Sequence, residues 1–165
     1  LHKTEAQGVV LNLKDAVEVR TAFLRLTANA RQFKSNARID GVLVQAMAVG
    51  EVELVIGLKR DPTFGPVVMV GLGGVLIEVF KDVVFRAAPV TDGEALRMLD
   101  ELKSKVVLDG VRGKPPVDKV ALARMIGAVS RFGAAAGPRL SELDLNPVLA
   151  GPRDATAVDW LMVFD

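Results

Sequence analysis

The chain reads as an α+β protein built on antiparallel sheet, and three features of the sequence carry that expectation. Strand-like and helix-like stretches do not alternate regularly, which argues against a doubly wound parallel sheet. Glu51 to Lys59 alternates cleanly, with Val52, Leu54, Ile56 and Leu58 on one face, and the turn Arg60-Asp-Pro-Thr-Phe-Gly65 returns the chain as a partner strand, Pro66 to Val70. A second hairpin closes the chain around Gly151-Pro-Arg-Asp154.

The remaining elements follow from local signals. Polar residues His2 to Gly8 lead into a short strand, Val9 to Leu13. Asp15 is placed to cap a helix, with Glu18 completing a capping box. That helix carries Ala16, Val19, Phe23, Leu26, Ala30 and Phe33 as one apolar stripe, while Arg20, Arg25, Arg31 and Lys34 fall on its solvated face. Ile39 to Ala48 is apolar enough to expect a strand covered on both faces. Val75 to Val79 and Asp82 to Arg86 are expected as further short strands. Thr91-Asp-Gly-Glu94 opens a helix with Ala95, Leu96, Leu99 and Leu102 inward. Arg112-Gly-Lys-Pro-Pro116 is a stiff basic loop, either an anion holder or a plain linker. Asp118 caps a last helix bearing Leu122, Met125, Ile126, Val129 and Phe132, which ends at Gly137-Pro138. A composition break near Val49-Gly50 marks the expected boundary between a smaller and a larger lobe.

Composition narrows the function classes. The 165 residues suffice for one cored domain or two small lobes, and a net charge of +1 without a basic cluster gives no reason to expect nucleic acid. There are no cysteines, so disulfides and thiolate metal sites are excluded and a cytoplasmic setting is the default. No apolar run reaches the ~20 residues that span a bilayer. The chain opens on Leu1-His-Lys rather than methionine, which leads us to expect a segment of a longer polypeptide.

Chemistry concentrates in the closing hairpin. In Glu142-Leu-Asp-Leu-Asn-Pro-Val, Leu143 and Leu145 point to one face while Glu142, Asp144 and Asn146 point to the other. Ala155 to Phe164 follows as a strand that is apolar except at Asp159. Pairing Leu149 with Thr156 puts Asn146 across from Asp159, with Cβ atoms ~5 Å apart. Hard oxygen ligands converging on a rigid ladder suit Mg²⁺ with nucleotide phosphates. The plain alternative is a hairpin with a wet polar face, but a carboxylate inside Ala157-Val-Asp-Trp-Leu-Met-Val-Phe is costly to bury without a partner. Gly71-Leu-Gly-Gly74 would let the amides of Gly73 and Gly74 approach an anion, although a missing Lys-Ser/Thr rules out a P-loop and a glycine turn is the plainer reading.

Taken as an ordered series, these stretches resemble one family. His2-Lys-Thr-Glu5, Gly8-Val-Val, Val42-Leu-Val-Gln45, Lys59-Arg-Asp-Pro with Phe64-Gly-Pro, Gly71-Leu-Gly-Gly74, Phe85-Arg-Ala-Ala-Pro89, Arg112-Gly-Lys-Pro-Pro116 and Glu142-Leu-Asp-Leu-Asn-Pro147 together look like the ATP-grasp domain of ADP-forming acyl-CoA (acetyl-CoA) synthetases, similar to the succinyl-CoA synthetase β subunit. The resemblance implies two α+β lobes gripping ATP, with residues 1–48 as part of the small lobe, 49–165 as the larger one, and the fold incomplete at its N-terminus. It implies a ligase that makes acyl-CoA, ADP and phosphate from acid, CoA and ATP through an acyl phosphate and a phosphohistidine, a reaction this fragment alone is not expected to complete.

The resemblance also assigns roles. Asn146 and Asp159 match the metal ligands and Asp144 the acid beside them. Gln45, Ala46 and Met47 match the adenine hinge, with Glu53 near the ribose. Ala6, Gln7 and Gly8 fall on the glycine loop over the phosphates, where Gln7 replaces a usual glycine. His2 matches a proposed phosphoryl acceptor, its plain alternative being a solvated histidine. Trp160, where relatives carry a small residue, is expected to narrow the phosphate end. The implied cofactors are ATP/ADP and Mg²⁺, with CoA on a partner domain or subunit that carries the main phosphohistidine. An open strand edge could also pair a second copy. The alternatives are a regulatory nucleotide-binding module fused to a protein acetyltransferase, or a degenerate scaffold.

Overall fold

The computed structural model describes residues 6–74, 81–111 and 113–165. The chain divides into two compact units, Leu1–Met47 and Ala48–Asp165. His2, the expected strand Val75 to Val79, and Arg112 lie outside the described residues.

In the first unit the one regular element among the described residues is helix α1, Ala16–Phe33. Asp15 caps it by accepting from the amides of Val17 at 2.8 Å and Glu18 at 2.9 Å, while Glu18 reaches back to the amide of Lys14 at 2.8 Å. The capping box thus closes one residue earlier than its usual reciprocal bond. Two expectations fail here. Neither Val9 to Leu13 nor Ile39 to Ala48 forms a strand. A strand needs a ladder partner, and among the described residues neither stretch has one; Asn12 adopts φ 61°, which breaks an extended run. Apolar side chains expected inside are consequently exposed, among them Leu43, Val44, Phe23 and Phe33.

The second unit is a six-stranded antiparallel sheet with helices on one face. Its strands are β1 Val52–Asp61, β2 Gly65–Leu72, β3 Val83–Ala87, β4 Leu140–Ala150, β5 Ala155–Ala157 and β6 Trp160–Phe164, ordered β3-β2-β1-β4, with β5 and β6 both paired to β4. Helices α2, Asp92–Glu101, and α3, Lys119–Ala135, cover that face, joined through a 3-10 turn at Lys105–Asp109. Leu54, Ile56 and Leu58 of β1 and Val68, Val70 and Leu72 of β2 meet Leu99, Leu122 and Ile126 in one buried core. Thr91 and Asp118 cap the two helices through the amides of Glu94 and Ala121.

Three polar anchors fix the helix layer, Arg60 half-buried and Ser130 and Asp82 buried, none of them signalled by local pattern. Arg60 donates to the carbonyls of Leu140 at 3.3 Å, Gly133 at 3.4 Å and Gly137 at 2.5 Å, neutralising the carbonyl-rich end of α3. Ser130, wholly buried, accepts from the amide of Val90 at 3.0 Å and donates to Gly127 O at 2.8 Å. Asp82, 4% exposed, accepts from the amides of Lys103 at 2.9 Å and Ser104 at 2.8 Å. Burial pushes the Asp82 carboxyl up, but those amide bonds outweigh it and hold the group below its ordinary value of 3.8.

Two outcomes follow. Asp82→Ala leaves both amides short of an acceptor and should lower unfolding free energy by about 1–3 kcal/mol in a denaturant titration. Because the folded carboxyl is depressed, its stabilisation is present above the unfolded pKa and fades as pH falls through the folded one. The difference between wild type and variant should therefore shrink below about pH 4. Gly133→Ala would gain up to about 1 kcal/mol from helix propensity, yet a Cβ there runs into the Leu58 side chain. Overpacking of about 1–3 kcal/mol should win, and a raised melting temperature would contradict the packing described.

Candidate functional site

The closing strands set the geometry of the site. Leu149 pairs with Thr156 and Val148 with Ala157; further along, Leu145 pairs with Trp160 and Asp144 with Leu161. Between these segments the outer strand is interrupted at Val158 and Asp159, so the expected single strand is two. The cause lies in β4. Against β1, Leu54 pairs with Val148 but Ile56 with Leu145, so β4 carries one extra residue there, at Asn146-Pro147. Proline has no amide to give a ladder, and a bulge is where a sheet tolerates it. The Asn146 amide donates to Asp159 O at 3.2 Å and the Val158 amide to Pro147 O at 3.0 Å, which keeps the register across the break.

This bulge brings Asn146 and Asp159 together beside Asp144. The Asp144 carboxyl is held above its ordinary value of 3.8, first by burial, then by Glu142 and further by Asp159, while a hydrogen bond with the Asn146 side chain opposes the shift. Asp159 Oδ1 also accepts from the Trp160 amide at 3.0 Å. Among the described residues no three of His, Cys, Asp and Glu gather as a ready metal cluster. The donor set is mixed: carboxylate and amide oxygens, all hard, and crowded enough that ionising Asp144 is disfavoured. Such a set fits a hard divalent cation, which would relieve that crowding.

Other expected contacts fall out differently. The Gly73 amide donates to Glu53 O at 2.7 Å, so it is not available to an anion; a side chain at Gly73 would meet Glu53 backbone atoms at 3.2–3.3 Å. Gly74 turns the chain at φ 63° beside the Glu53 carboxylate. That glycine run is thus chiefly a turn against β1. Trp160 shares the row of Leu145, the face opposite Asp144, and is 64% exposed, so it does not narrow the acidic face. In the first unit, Gln7 adopts φ 47°, a left-handed conformation that explains why glycine suits the position, and its carbonyl accepts from Asn29 at 3.1 Å. Ala6 and Gly8 flank it, half-buried; Gln45, Ala46 and Met47 lie in exposed, irregular chain.

Sequence reasoning missed a hollow on the face of the sheet opposite α2 and α3, about 380 Å³, lined in part by Gly57, Lys59, Met69, Phe85, Glu142 and Asp144. Gly57 opens it. A Cβ there would lie 3.2 Å from Met69 Cε and 3.7 Å from Asp144 Oδ1. A glycine inside an otherwise alternating strand was the available signal.

Known proteins resemble this chain along nearly its whole length. The ATP-grasp domain family profile matches residues 1–164. The β subunit of ADP-forming acetate–CoA ligase I from Pyrococcus furiosus is 43% identical over 163 residues, covering 99% of this chain and 70% of that subunit. ADP-forming 4-hydroxybutyrate–CoA ligase from Nitrosopumilus maritimus is 45% identical over 149 residues, 90% of this chain but 21% of that protein. The dinucleotide-forming acetyl-coenzyme A synthetase 1 of Ca. Korarchaeum cryptofilum, solved with coenzyme A and Ca-AMPCP, superposes with a TM-score of 0.96 at 42% identity, over 100% of this chain and 72% of that one. A second structure of it holds coenzyme A and Mg-AMPPCP with its phosphohistidine segment pointing towards the nucleotide site; the TM-score is 0.86 at 40% identity, over 100% of this chain and 71% of that one.

Proposed function

The chain belongs to the ATP-grasp domain family, and from that premise we propose that it is the ATP- and Mg²⁺-binding part of an ADP-forming acyl-CoA ligase. The observation that carries this reading is the bulge in β4, which sets Asn146 across from Asp159 with Asp144 alongside. The chain spans about a fifth of the N. maritimus ligase it matches, so the activity belongs to a larger assembly. Its partner is a CoA-binding ligase domain or subunit carrying a phosphorylatable histidine. The names of the relatives favour this over a regulatory module fused to an acetyltransferase.

In this reading the first unit is part of the small ATP-grasp lobe and the second the larger lobe. Asn146 and Asp159 hold Mg²⁺, which when bound neutralises phosphate charge during transfer. Phosphoryl transfer asks the protein mainly for positioning and charge complementarity. Gln45 to Met47 meet the adenine, Glu53 lies near the ribose, and the Ala6 to Gly8 loop covers the phosphates. Asp144 orients the attacking imidazole, and His2 serves as a relay acceptor.

Asp159→Ala should keep a cooperative melt within a few degrees of wild type while its affinity for ADP with Mg²⁺, read by calorimetry, falls at least about tenfold. Unchanged affinity would remove the metal-ligand assignment. With γ-labelled ATP, the full polypeptide and its partner should form acid-labile, base-stable phosphate, and its absence would overturn the ligase reading.

A further inference from the structure

The hollow beside Asp144 has a definite place relative to the proposed nucleotide contacts. On the face opposite α2 and α3, β1 presents Glu53, Val55, Gly57, Lys59 and Asp61 in turn, and antiparallel β4 presents Asn146, Asp144 and Glu142. Glu53 pairs with Leu149, Gly57 with Asp144 and Lys59 with Glu142. The ribose contact and the metal ligands therefore stand to one side of Asp144, and the hollow to the other. It lies where a phosphoryl group leaving the nucleotide past the metal would arrive.

Two cations border it, adjacent in sequence but differently committed. Arg60 turns to the helix layer, its guanidinium donating to Leu140, Gly133 and Gly137 carbonyls. Lys59 is exposed on the face opposite α2 and α3 and makes no hydrogen bond or ion pair among the described residues, although Glu142 stands opposite it. The other side chains at the hollow include three acids, Glu142, Asp144 and Asp61, the last already accepting from the amides of Thr63 and Phe64, and the apolar Met69 and Phe85. An incoming phosphoryl group would meet carboxylates, and Lys59 is the cation placed to offset them.

We propose that Lys59 contacts the phosphoryl group as it passes from ATP to an imidazole seated in this hollow. The inference rests on the proposed ligase function. In that step the lone pair of a neutral imidazole nitrogen forms the N–P bond. The bond between the γ-phosphorus and the bridging oxygen breaks, and its electron pair departs with ADP. The second imidazole nitrogen keeps its proton, which Glu142 or Asp144 accepts as a hydrogen bond. Gly57, Met69 and Phe85 supply a flat apolar seat for the ring, and Lys59 holds the equatorial oxygens.

The test uses the full polypeptide with its histidine-bearing partner, in wild type, Lys59→Met and Lys59→Arg forms. Single-turnover transfer from γ-labelled ATP to acid-labile phosphate should slow about 100-fold in Lys59→Met. Calorimetric affinity for ADP with Mg²⁺ should stay within about twofold, while affinity for ADP, Mg²⁺ and orthovanadate together falls about tenfold or more. Lys59→Arg should recover most of both losses. Wild-type transfer by Lys59→Met, or a parallel loss of plain ADP affinity, would overturn the assignment while leaving the ligase reading intact. If wild type forms no acid-labile phosphate, the ligase reading falls first and this one with it.

Discussion

The second unit depends on one added residue in β4. Without it, a strand paired on both sides would keep strict alternation, and Asn146 and Val148 would share a face. The extra residue at Asn146-Pro147 lets Leu145 stay with Ile56 and Val148 stay with Leu54, both toward the helices, while Asn146 is turned outward. The same irregularity splits the outer edge into β5 and β6 and leaves Asp159 at the break. The core therefore stays continuous beneath the polar cluster, and no buried polar side-chain atom among the described residues is left without a partner.

That arrangement makes β1 the shared wall of two different environments. Leu54, Ile56 and Leu58 pack under α3, and Arg60 continues their row by binding the carbonyls at the helix end. Gly57 and Lys59, interleaved with them, belong to the opposite face. Gly133 brings α3 close enough to touch Leu58, so the helix is seated directly behind the strand whose other side forms the hollow. Packing on one face thus limits how far the other can move, which is how a site acquires fixed geometry from a core that never touches its ligand.

The sequence made legible what depends on neighbours along the chain. Caps at Asp15, Thr91 and Asp118, the alternation of β1, and the pairing of Leu149 with Thr156 all follow from spacing and turn chemistry. Long-range partners were not legible. Val9 to Leu13 and Ile39 to Ala48 carry strand composition, but a ladder is a property of two segments and local pattern specifies only one. Asp82 and Ser130 read as ordinary polar residues because their amide partners lie 21 and 40 positions away. At the candidate site, the residue types of Asn146 and Asp159 pointed to hard-ligand chemistry, whereas the hollow at Gly57 required knowing which strands flank it. The Gly71 to Gly74 run allowed both an anion-binding and a turn reading, and the Gly73 amide bond to Glu53 O favours the turn.

Lys59 and Arg60 show why residue type alone is a poor guide to role here. Both are cations in one strand, one position apart, and a charge count treats them alike. Strand geometry sends one to each face. Arg60 finds three carbonyls that suit a forked guanidinium, so replacing it should be felt by the fold. Lys59 faces carboxylates across an open hollow, and a compact ammonium on a flexible stem suits a transient phosphoryl group better than a permanent bond. The division between what stabilises this unit and what equips it for chemistry therefore runs along the plane of the sheet. Alternation within β1 is sufficient to place neighbouring residues on either side of it.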